Sequence, residues 1–259
     1  MHWNVHPIIF EIGPLEIRWY GLFFAIGIIL GARALPRLFE YRGLERKNAE
    51  PLTIWLVIGM IVGAHLVHLI FYEPRSFIEN PRRIIEIGLG LASHGGGLGA
   101  IIALALFCKK RELDFFRYAD ASMIAALWVV PWVRIGNFFN SEIYGRVTDL
   151  PWGVIFDYRR HTQPRHPSQL YEAVIGFIIL AIALWINRRY GTRLRPGATL
   201  FILLGLYFFT RFLIEYVKEY QVLSPGFPLT MGQCLSLPIV ILCCYVLFFT
   251  KRFNLRPAS

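Results

Sequence analysis

The 259-residue sequence has few charged residues and few cysteines, and each shortage excludes a class of protein. Charged residues form 17% of the chain, whereas soluble globular proteins carry about 25%, so a soluble fold is not expected. The four cysteines, at positions 108, 234, 243 and 244, lie in or beside apolar stretches and lack the spacing of metal ligands. We therefore expect them to pack as apolar side chains, and we predict neither a metal site nor a cofactor.

Hydrophobic residues are abundant, forming 56% of the chain, and they gather in seven stretches of nearly membrane-spanning length. A transmembrane helix needs about 20 apolar residues. The predicted spans run over residues 19–35, 52–71, 87–107, 118–137, 170–187, 198–216 and 233–250. This pattern predicts an all-α integral membrane protein with about seven transmembrane helices. Because no basic region precedes a short apolar core near the N-terminus, we expect no cleaved signal peptide.

The loops between the predicted spans alternate in their content of Lys and Arg. The richer loops cover residues 37–47, 109–117, 188–195 and 251–256. Since basic loops stay on the cytoplasmic side, we predict that the N-terminus lies outside and the C-terminus inside. The net charge of +10 is then mainly an orientation signal. Nucleic-acid binding is the alternative, but the basic residues are dispersed rather than gathered in one patch, so no nucleic-acid partner is expected.

The longest stretch between predicted spans, residues 138–169, is too polar for the hydrocarbon core. It contains several Gly and Pro residues, and Val154–Phe156, between turn formers, has the character of a short strand. We expect this loop to form a small extracytoplasmic cap. The sequence has no evident linker, low-complexity segment or internal repeat, so we predict a single membrane domain over residues 1–259 that carries this loop.

Residues 133–146 place polar side chains at the boundary of a predicted span. These are Arg134, Asn137, Asn140 and Glu142. Polar groups are costly at such depth and mark functional sites. Arg134 and Asn137 share a helix face because they are three residues apart, and the planar guanidinium suits a lipid phosphate. Glu142 could orient an arginine. The alternative is an internal ion pair that locks two helices.

A glycine-rich run at residues 93–99 contains His94. Glycine lets a backbone approach a ligand closely, and amides at a helix start favour an anion. The alternative is helix packing through small residues, which is common in membranes. His94 is a candidate functional residue, because ionisable side chains inside membrane spans usually belong to functional sites. His65 and His68 share a face of the second span, but two histidines alone are a weak sign of a metal.

The sixth predicted span contains three polar residues spaced four positions apart, Tyr207, Arg211 and Glu215. At this spacing their side chains share one helix face. An unpaired arginine in this apolar surrounding would cost several kcal/mol, so it requires an anion. A phosphate is the functional candidate, and a static pair with Glu215 is the alternative.

At the start of the fifth span, Pro167 suits a helix start. Ser168 or Gln169 could cap that helix, and a direct catalytic role for the segment stays open.

Taken together, these segments resemble the bacterial prolipoprotein diacylglyceryl transferase family. The run 133–146 resembles the family signature, 93–99 its His-Gly-Gly motif, and 166–172 its His-Pro-Ser-Gln-Leu-Tyr-Glu motif. Further matches, in order, are Trp19-Tyr20-Gly21-Leu22, the pair Tyr207 and Arg211, and Met231-Gly232-Gln233. The resemblance covers nearly the whole chain, and the run 133–146 is its most specific part.

The resemblance implies a multi-pass enzyme of the bacterial cytoplasmic (inner) membrane, with its active site toward the extracytoplasmic side. Such a transferase moves the diacylglyceryl group of phosphatidylglycerol to the lipobox cysteine thiol of a preprolipoprotein. A thioether forms and glycerol phosphate is released, in the first step of lipoprotein maturation. The implied partners are phosphatidylglycerol, signal peptides with a lipobox cysteine, and the lipid bilayer. A thiolate is the nucleophile, and here the substrate supplies it.

The same resemblance implies the site residues. The catalytic set is His94, Arg134, Arg211 and Tyr20, and the substrate-binding set is Asn137, Asn140, Glu142, Gly145, Tyr207, Gly95 and Gly96. We expect the two arginines to hold the phosphate and stabilise the leaving group. His94 is the first candidate for the base that takes the thiol proton, since its unperturbed pKa is near neutral. The alternative is that His94 only binds lipid.

Two other functions would also account for polar residues inside a helix bundle. A lipid transporter would also place arginines inside a helix bundle, but repeat halves with matching broken helices would favour it, and none is visible. An intramembrane protease would use Ser and His. Ser93 and His94 are adjacent, however, and neighbouring side chains on a helix diverge by about 100°. The two side chains are therefore poorly placed to form a Ser–His dyad. Both functions therefore rank below lipid transfer.

Overall fold

The computed structural model of the chain describes residues 1–13, 15–85, 92–219 and 228–250. The α-helices in this part are α1 Trp19–Tyr41, α2 Ala49–Val67, α3 Pro74–Glu79, α4 Ser93–Lys110, α5 Phe115–Ala126, α6 Val129–Phe139, α7 Ser168–Tyr190, α8 Ala198–Ile214 and α9 Met231–Phe249. The strands are β1 His2–Trp3, β2 Ile8–Ile12, β3 Leu15–Arg18 and β4 Ile155–Phe156. The chain divides into two compact units, one of Met1–Ala34 with Asp120–Ser259 and one of Leu35–Ala119.

Six helical stretches of the described residues are long and apolar enough to cross a bilayer. They are Trp19–Tyr41, Arg46–Tyr72, Phe115–Phe139, Ser168–Tyr190, Ala198–Val217 and Met231–Phe249. Six of the seven predicted spans are thereby confirmed as long apolar helices. The predicted span 87–107 coincides in part with α4, and its residues 87–91 lie outside the described part. The orientation of the two termini stays a prediction.

In the unit Leu35–Ala119, α2 and α4 approach so closely that glycine faces glycine. A Cβ atom on Gly95 would collide with the carbonyl oxygen of Gly63 and lie 2.5 Å from Val67 Cβ. Because no methyl group fits there, glycine is required for the two backbones to touch. For Gly95, the geometry thus supports helix packing, which the sequence left open beside ligand binding.

In the other unit, α7 packs against both α6 and α8, and α8 also packs against α9. Asp120 of α5 fixes the start of α8, since its carboxylate accepts hydrogen bonds from Gly197 N at 3.0 Å and Leu200 N at 2.7 Å. The start of α9 is a capping box in which Thr230 Oγ1 accepts from Gln233 N at 3.2 Å. Polar side chains therefore fix the helices that carry the site described below.

The loop between α6 and α7 forms a small structure with residues from the start of the chain. β1 pairs in parallel with β4, so the short strand predicted at 154–156 is present. Phe138, Val154 and Phe156 form a buried cluster against which Trp3 packs. β2 and β3 form a separate antiparallel hairpin. That this cap lies on the extracytoplasmic side stays a prediction.

Candidate active site

Helices α6, α7 and α8 line a narrow cleft. Its polar wall consists of Arg134 from α6, Glu172 from α7, and Tyr207 and Arg211 from α8, and most of its other lining residues are aliphatic. Tyr207 and Arg211 both reach the cleft because residues four apart share a helix face. The structure thus brings together three residues predicted from the sequence, on two helices that are distant along the chain.

Glu172 is the centre of the charge pairing in this cleft. It accepts a hydrogen bond from Arg211 Nη1 at 2.8 Å, and its other oxygen lies 3.5 Å from Arg134 Nε. The Glu172 side chain is only 8% exposed, so the carboxylate is largely withdrawn from water. Two guanidinium groups from different helices are therefore gathered by one buried anion.

A second carboxylate and a third cation extend this pairing. Arg211 Nη2 lies 3.0 Å from Glu215 Oε1, and Thr230 Oγ1 donates to Glu215 Oε2 at 2.9 Å. Lys218 Nζ lies 3.4 Å from Glu172 and 3.7 Å from Glu215. The charge cluster, as we name it, comprises Arg134, Arg211, Lys218, Glu172 and Glu215. Its three cations and two carboxylates leave one positive charge in excess, which favours an anionic ligand.

Three members of the charge cluster are not among the site residues predicted from the sequence, namely Lys218, Glu172 and Glu215. Of these, Glu215 was expected only as a static partner of Arg211. Lys218 follows Glu215 by three residues, a spacing typical of contacting side chains on a helix, although in the structure a single 3-10 turn at Glu215–Val217 separates it from α8. That spacing is the signal that could have identified it. Burial lowers the pKa of the Lys218 ammonium group, and the Glu172 carboxylate opposes this shift.

The ion pairs weighed as alternatives to phosphate binding are present, between Arg211 and Glu215 and between Arg134 and Glu172. They do not use the full donor capacity of the arginines, because each guanidinium has five N–H groups. Arg134 is held loosely, with 3.5 Å to Glu172 and a 3.4 Å hydrogen bond to Asn137 Oδ1. The Tyr207 side chain also lies near the Arg134 guanidinium. Ion pairing and phosphate binding are therefore compatible in this cleft.

Asn137 connects Arg134 to Glu142. Its amide oxygen accepts from Arg134, and its amide nitrogen donates to Glu142 Oε1 at 2.8 Å. Tyr20, at the start of α1, lies near both charged groups. A Cβ on Gly136 would lie 3.1 Å from Tyr20 Cα, so α6 runs directly against the backbone of α1 here. Glu142 is thus connected to Arg134 through Asn137, and its role in orienting that arginine stays a prediction.

The loop that carries Glu142 has an unusual backbone. Ser141 and Ile143, on either side of it, have positive φ angles of 52° and 58°, and this is rare for a β-branched residue. Each of the three carbonyl oxygens is held by a side chain. Arg159 Nε donates to Ser141 O at 3.1 Å, Gln169 Nε2 to Glu142 O at 2.6 Å, and Ser168 Oγ to Ile143 O at 3.0 Å. Ser168 and Gln169 therefore hold this loop, and the expectation that one of them caps α7 is wrong.

Gly145 allows three chain segments to meet beside the charge cluster. Its Cβ would collide with the carbonyl oxygen of Val217 and lie 2.6 Å from His166 Cβ. Gly145 N donates to His166 O at 2.9 Å, and its backbone forms a bridge with Lys218. Gly145 therefore fixes the segment that supplies the third cation, Lys218.

Asn140, also predicted to bind substrate, ends α6 with its side-chain oxygen buried and unpartnered among the described residues.

His94, Gly95 and Gly96 belong to the unit Leu35–Ala119, whereas the charge cluster belongs to the other unit. His94 lies in the first turn of α4 with its side chain exposed, and its catalytic role stays a prediction. The described histidines at 65 and 68 bind Arg83 O at 3.0 Å and Glu73 Oε1 at 3.3 Å. Within the described ranges, no group of three His, Cys, Asp or Glu side chains is arranged to hold a metal.

Comparison with known proteins identifies close similarity over nearly the whole chain. A family model described as prolipoprotein diacylglyceryl transferase matches residues 7–249. The phosphatidylglycerol–prolipoprotein diacylglyceryl transferase of Tolumonas auensis is 40% identical over 244 residues, covering 93% of this chain and 94% of the relative. The enzymes of the same name from Bacteroides fragilis and Rickettsia conorii are 35% identical over 263 residues and 39% identical over 256 residues. They cover 96% and 94% of this chain, and 95% and 96% of their own lengths.

Proposed function

We infer a mechanism from one premise: the chain belongs to the prolipoprotein diacylglyceryl transferase family. It is an integral membrane enzyme that transfers the diacylglyceryl group of phosphatidylglycerol to a prolipoprotein. The acceptor that we propose is the thiol of the lipobox cysteine in the signal peptide. The sulfur attacks the glycerol carbon that bears the phosphate, a C–S bond forms, and the C–O bond to the phosphate oxygen breaks. Its electron pair leaves with glycerol phosphate, and the thiol proton passes to a base.

The observation that carries this mechanism is the meeting of Arg134 and Arg211 at Glu172. The two guanidiniums come from different helices, yet both contact one carboxylate at 3.5 and 2.8 Å. A phosphate that lies between them can take donors from both, and planar N–H pairs match its oxygens. As the C–O bond breaks, the phosphate gains negative charge, and preorganised cations in a site with little water stabilise that gain.

The walls of the cleft suit the rest of the lipid. Residues such as Val130, Ile175 and Ile179 line it beside the arginines. Such aliphatic walls can contact the diacylglycerol part, and the acyl chains would continue between the helices into the bilayer. Tyr20 and Tyr207 both lie near Arg134 and would orient the head group or the ester region. Substrate-lipid contacts then combine one polar wall with apolar surroundings, which is typical of small-molecule sites.

Two parts of the proposal rest on the family resemblance and the loop charges. His94 is proposed as the base that accepts the thiol proton, with lipid binding as its alternative role. The membrane is proposed to be the bacterial cytoplasmic membrane, with the active site on its extracytoplasmic side. The positive loops at 37–47 and 188–195 support this orientation.

Isotope labelling tests which bond breaks. Phosphatidylglycerol would carry ¹⁸O at the bridge between the diacylglycerol carbon and phosphorus, and the purified protein would act on a lipobox peptide. We expect a peptide with one added diacylglyceryl mass and glycerol phosphate that retains the label. Recovery of the label with the diacylglyceryl part would mean P–O cleavage and would overturn the alkylation mechanism. Peptide cleavage in place of lipid addition would instead indicate a protease.

A further inference from the structure

Glu172 occupies the place where the mechanism needs the lipid phosphate. Its Oε1 lies 2.8 Å from Arg211 Nη1 and its Oε2 lies 3.5 Å from Arg134 Nε, so the carboxylate lies between the two guanidiniums. Glu172 also lines the narrow cleft between α6, α7 and α8. A phosphate that contacts both arginines would therefore meet a second anion at close range, and like charges repel strongly where little water is present. The resting protein thus contains an internal competitor for its own substrate.

The two halves of this competing ion pair differ in strength. Arg211 donates a hydrogen bond to Glu172 Oε1 at 2.8 Å. The other oxygen, Oε2, is buried and accepts no hydrogen bond among the described residues. Its 3.5 Å contact with Arg134 is longer than the roughly 2.7–2.9 Å of a hydrogen bond between ions. The Arg134 half is therefore the easier one for a phosphate to take over. Arg211 keeps an anion in either case, since Glu215 Oε1 lies 3.0 Å from its Nη2.

Lys218 lies on the side of Glu172 that faces away from the cleft. Its Nζ is 3.4 Å from Glu172 Oε1, its side chain is only 3% exposed, and it is not among the described residues that line the cleft. An ammonium group has three N–H donors, and the contacts of Lys218 with Glu172 and Glu215, at 3.4 and 3.7 Å, are both long. Lys218 can therefore bind Glu172 more tightly without reaching the phosphate itself.

The backbone of Lys218 is anchored on two sides. Its carbonyl oxygen accepts a hydrogen bond from Arg146 Nε at 2.8 Å, and its backbone forms a bridge with Gly145. Lys218 N also donates to Glu215 O at 3.2 Å. These contacts come from the loop between α6 and α7 and from the turn that follows α8. An anchored cation beside Glu172 gives that carboxylate a second defined position.

We propose that the phosphate of the bound lipid takes Arg134 from Glu172, and that the displaced carboxylate moves onto Lys218. Lys218 is then a positioning residue, because it acts on the substrate through Glu172. The proposal rests on the function proposed above, since it places the lipid phosphate at Arg134 and Arg211. Glu172 compensates Arg134 in the resting protein and Lys218 in the complex. The buried charges thus keep partners before and after binding, as a site with little water requires.

The first test removes the competing charge. Glu172→Gln keeps the size of the side chain but carries no charge that opposes a phosphate. Equilibrium binding of radiolabelled phosphatidylglycerol would be measured at a fixed detergent concentration, without an acceptor peptide, so that no transfer takes place. We expect Kd to fall by about tenfold, since a hydrogen bond to a charged group contributes roughly that factor or more. An unchanged or higher Kd would mean that Glu172 does not compete with the phosphate, and the proposal would be wrong.

Diacylglycerol is the matched ligand for this test, because it has the same acyl chains and no phosphate. Its Kd should be the same for the wild type and Glu172→Gln. If both lipids gained affinity equally, the substitution would act by opening the cleft in general. That result would also count against the exchange of anions.

The second test determines whether Lys218 acts through Glu172. Lys218→Met removes the cation from a side chain of similar shape, and Lys218→Arg keeps a cation. With Glu172 present, Lys218→Met should raise Kd for phosphatidylglycerol by about tenfold, because the displaced carboxylate loses its partner, whereas Lys218→Arg should bind nearly as well as the wild type. In the Glu172→Gln background, Lys218→Met should have a much smaller effect. This double-mutant cycle isolates the coupling between the two side chains.

The remaining outcomes separate this inference from the function. Equal effects of Lys218→Met in both backgrounds would mean that Lys218 acts on the phosphate through its charge alone, and the exchange would be refuted. If Lys218→Met does not fold, Glu172→Gln still decides, because a competing anion and a merely supporting one predict opposite changes in Kd. Failure of either binding test leaves lipid transfer intact. Absence of a diacylglyceryl mass gain on a lipobox peptide treated with the wild type would refute the proposed function itself.

Discussion

Replacement of Glu172 by Gln is the sharpest perturbation of the charge cluster. Gln keeps the size of the side chain but removes its charge and turns one acceptor oxygen into a donor NH2 group. Three cations contact Glu172, at 2.8 Å from Arg211, 3.4 Å from Lys218 and 3.5 Å from Arg134. After the change, Glu215 would be the only carboxylate left in the cluster as defined. The excess positive charge in the cluster would then rise from one to two.

The cost of Glu172→Gln follows from its burial. Removal of one partner from a buried ion pair costs about 3–5 kcal/mol, because the remaining charges stay buried without compensation. For a chain of this size, each kcal/mol corresponds to a change of roughly 2–4 °C in Tm. We expect the detergent-solubilised variant to unfold about 10 °C below the wild type. Transfer activity should fall by about 100-fold in kcat, because the two arginines lose the group that positions them.

The assay pairs thermal unfolding followed by tryptophan fluorescence with kcat and KM for phosphatidylglycerol. Glu40→Gln is a matched control, because Glu40 also pairs with an arginine, Arg46, at 2.6 Å, but both side chains are about half exposed or more. An exposed pair contributes about 1 kcal/mol or less, so this variant should resemble the wild type in both measurements. Wild-type kcat and Tm in Glu172→Gln would refute the assignment of Glu172 as the organiser of the arginines.

Four further predictions follow from other parts of the molecule. Arg134→Lys and Arg211→Lys should each lose about 100-fold or more in transfer rate while still inserting, since Lys lacks the bidentate fork; near-wild-type turnover at saturating lipid would make that arginine's role structural. Gly145→Ala should abolish most activity, because its Cβ would collide with Val217 O, whereas Gly97→Ala, with nothing within 4 Å of the new Cβ, should be tolerated. Burial lowers the pKa of both His161 and His166, with Arg165 adding to the shift at His161, so their protonation opposes folding. Tm should therefore fall as pH drops below about 6.5, their unfolded value, and less so in a His161→Gln/His166→Gln variant. With the native cysteines replaced, Leu150→Cys should react with an impermeant maleimide from outside and Glu45→Cys only after permeabilisation; the reverse would invert the predicted orientation.

The spans could be predicted from the sequence because the signal is carried by composition over about 20 residues. The arginines could be predicted too, since a charge in an apolar helix is costly wherever that helix packs. The carboxylate on another helix that pairs with both arginines could not be predicted from the sequence. Glu172 is 38 residues from Arg134 and 39 from Arg211 along the chain, and only the packing of α7 between α6 and α8 brings the three together. The local pair of Arg211 with Glu215 was visible because it lies within one helix.

The role of segment 166–172 shows a different limit of the sequence. Pro167 correctly indicates a helix start, since α7 begins at Ser168. The polar residues that follow were expected to serve that helix. Ser168 and Gln169 instead hold the carbonyl oxygens of Ile143 and Glu142, some 25 residues earlier in the chain. A capping pattern specifies that a polar side chain is needed near a helix start, but it does not specify which backbone receives its hydrogen bond.

The charge cluster has to meet two demands that conflict. It must be stable in the membrane when no lipid is bound, which requires counter-charges for Arg134, Arg211 and Lys218. In the proposed mechanism it must also bind phosphate more tightly in the transition state than in the ground state, because only that difference accelerates the reaction. The two carboxylates neutralise two of the three cations, so the resting cluster is nearly balanced and keeps one excess positive charge. A phosphodiester carries one negative charge and matches that excess. As the C–O bond breaks, the phosphate approaches a second negative charge, so its attraction to the three cations grows during the reaction. A further carboxylate in the cluster would improve the resting state and weaken this gain, and one fewer would strengthen ground-state binding while destabilising the fold.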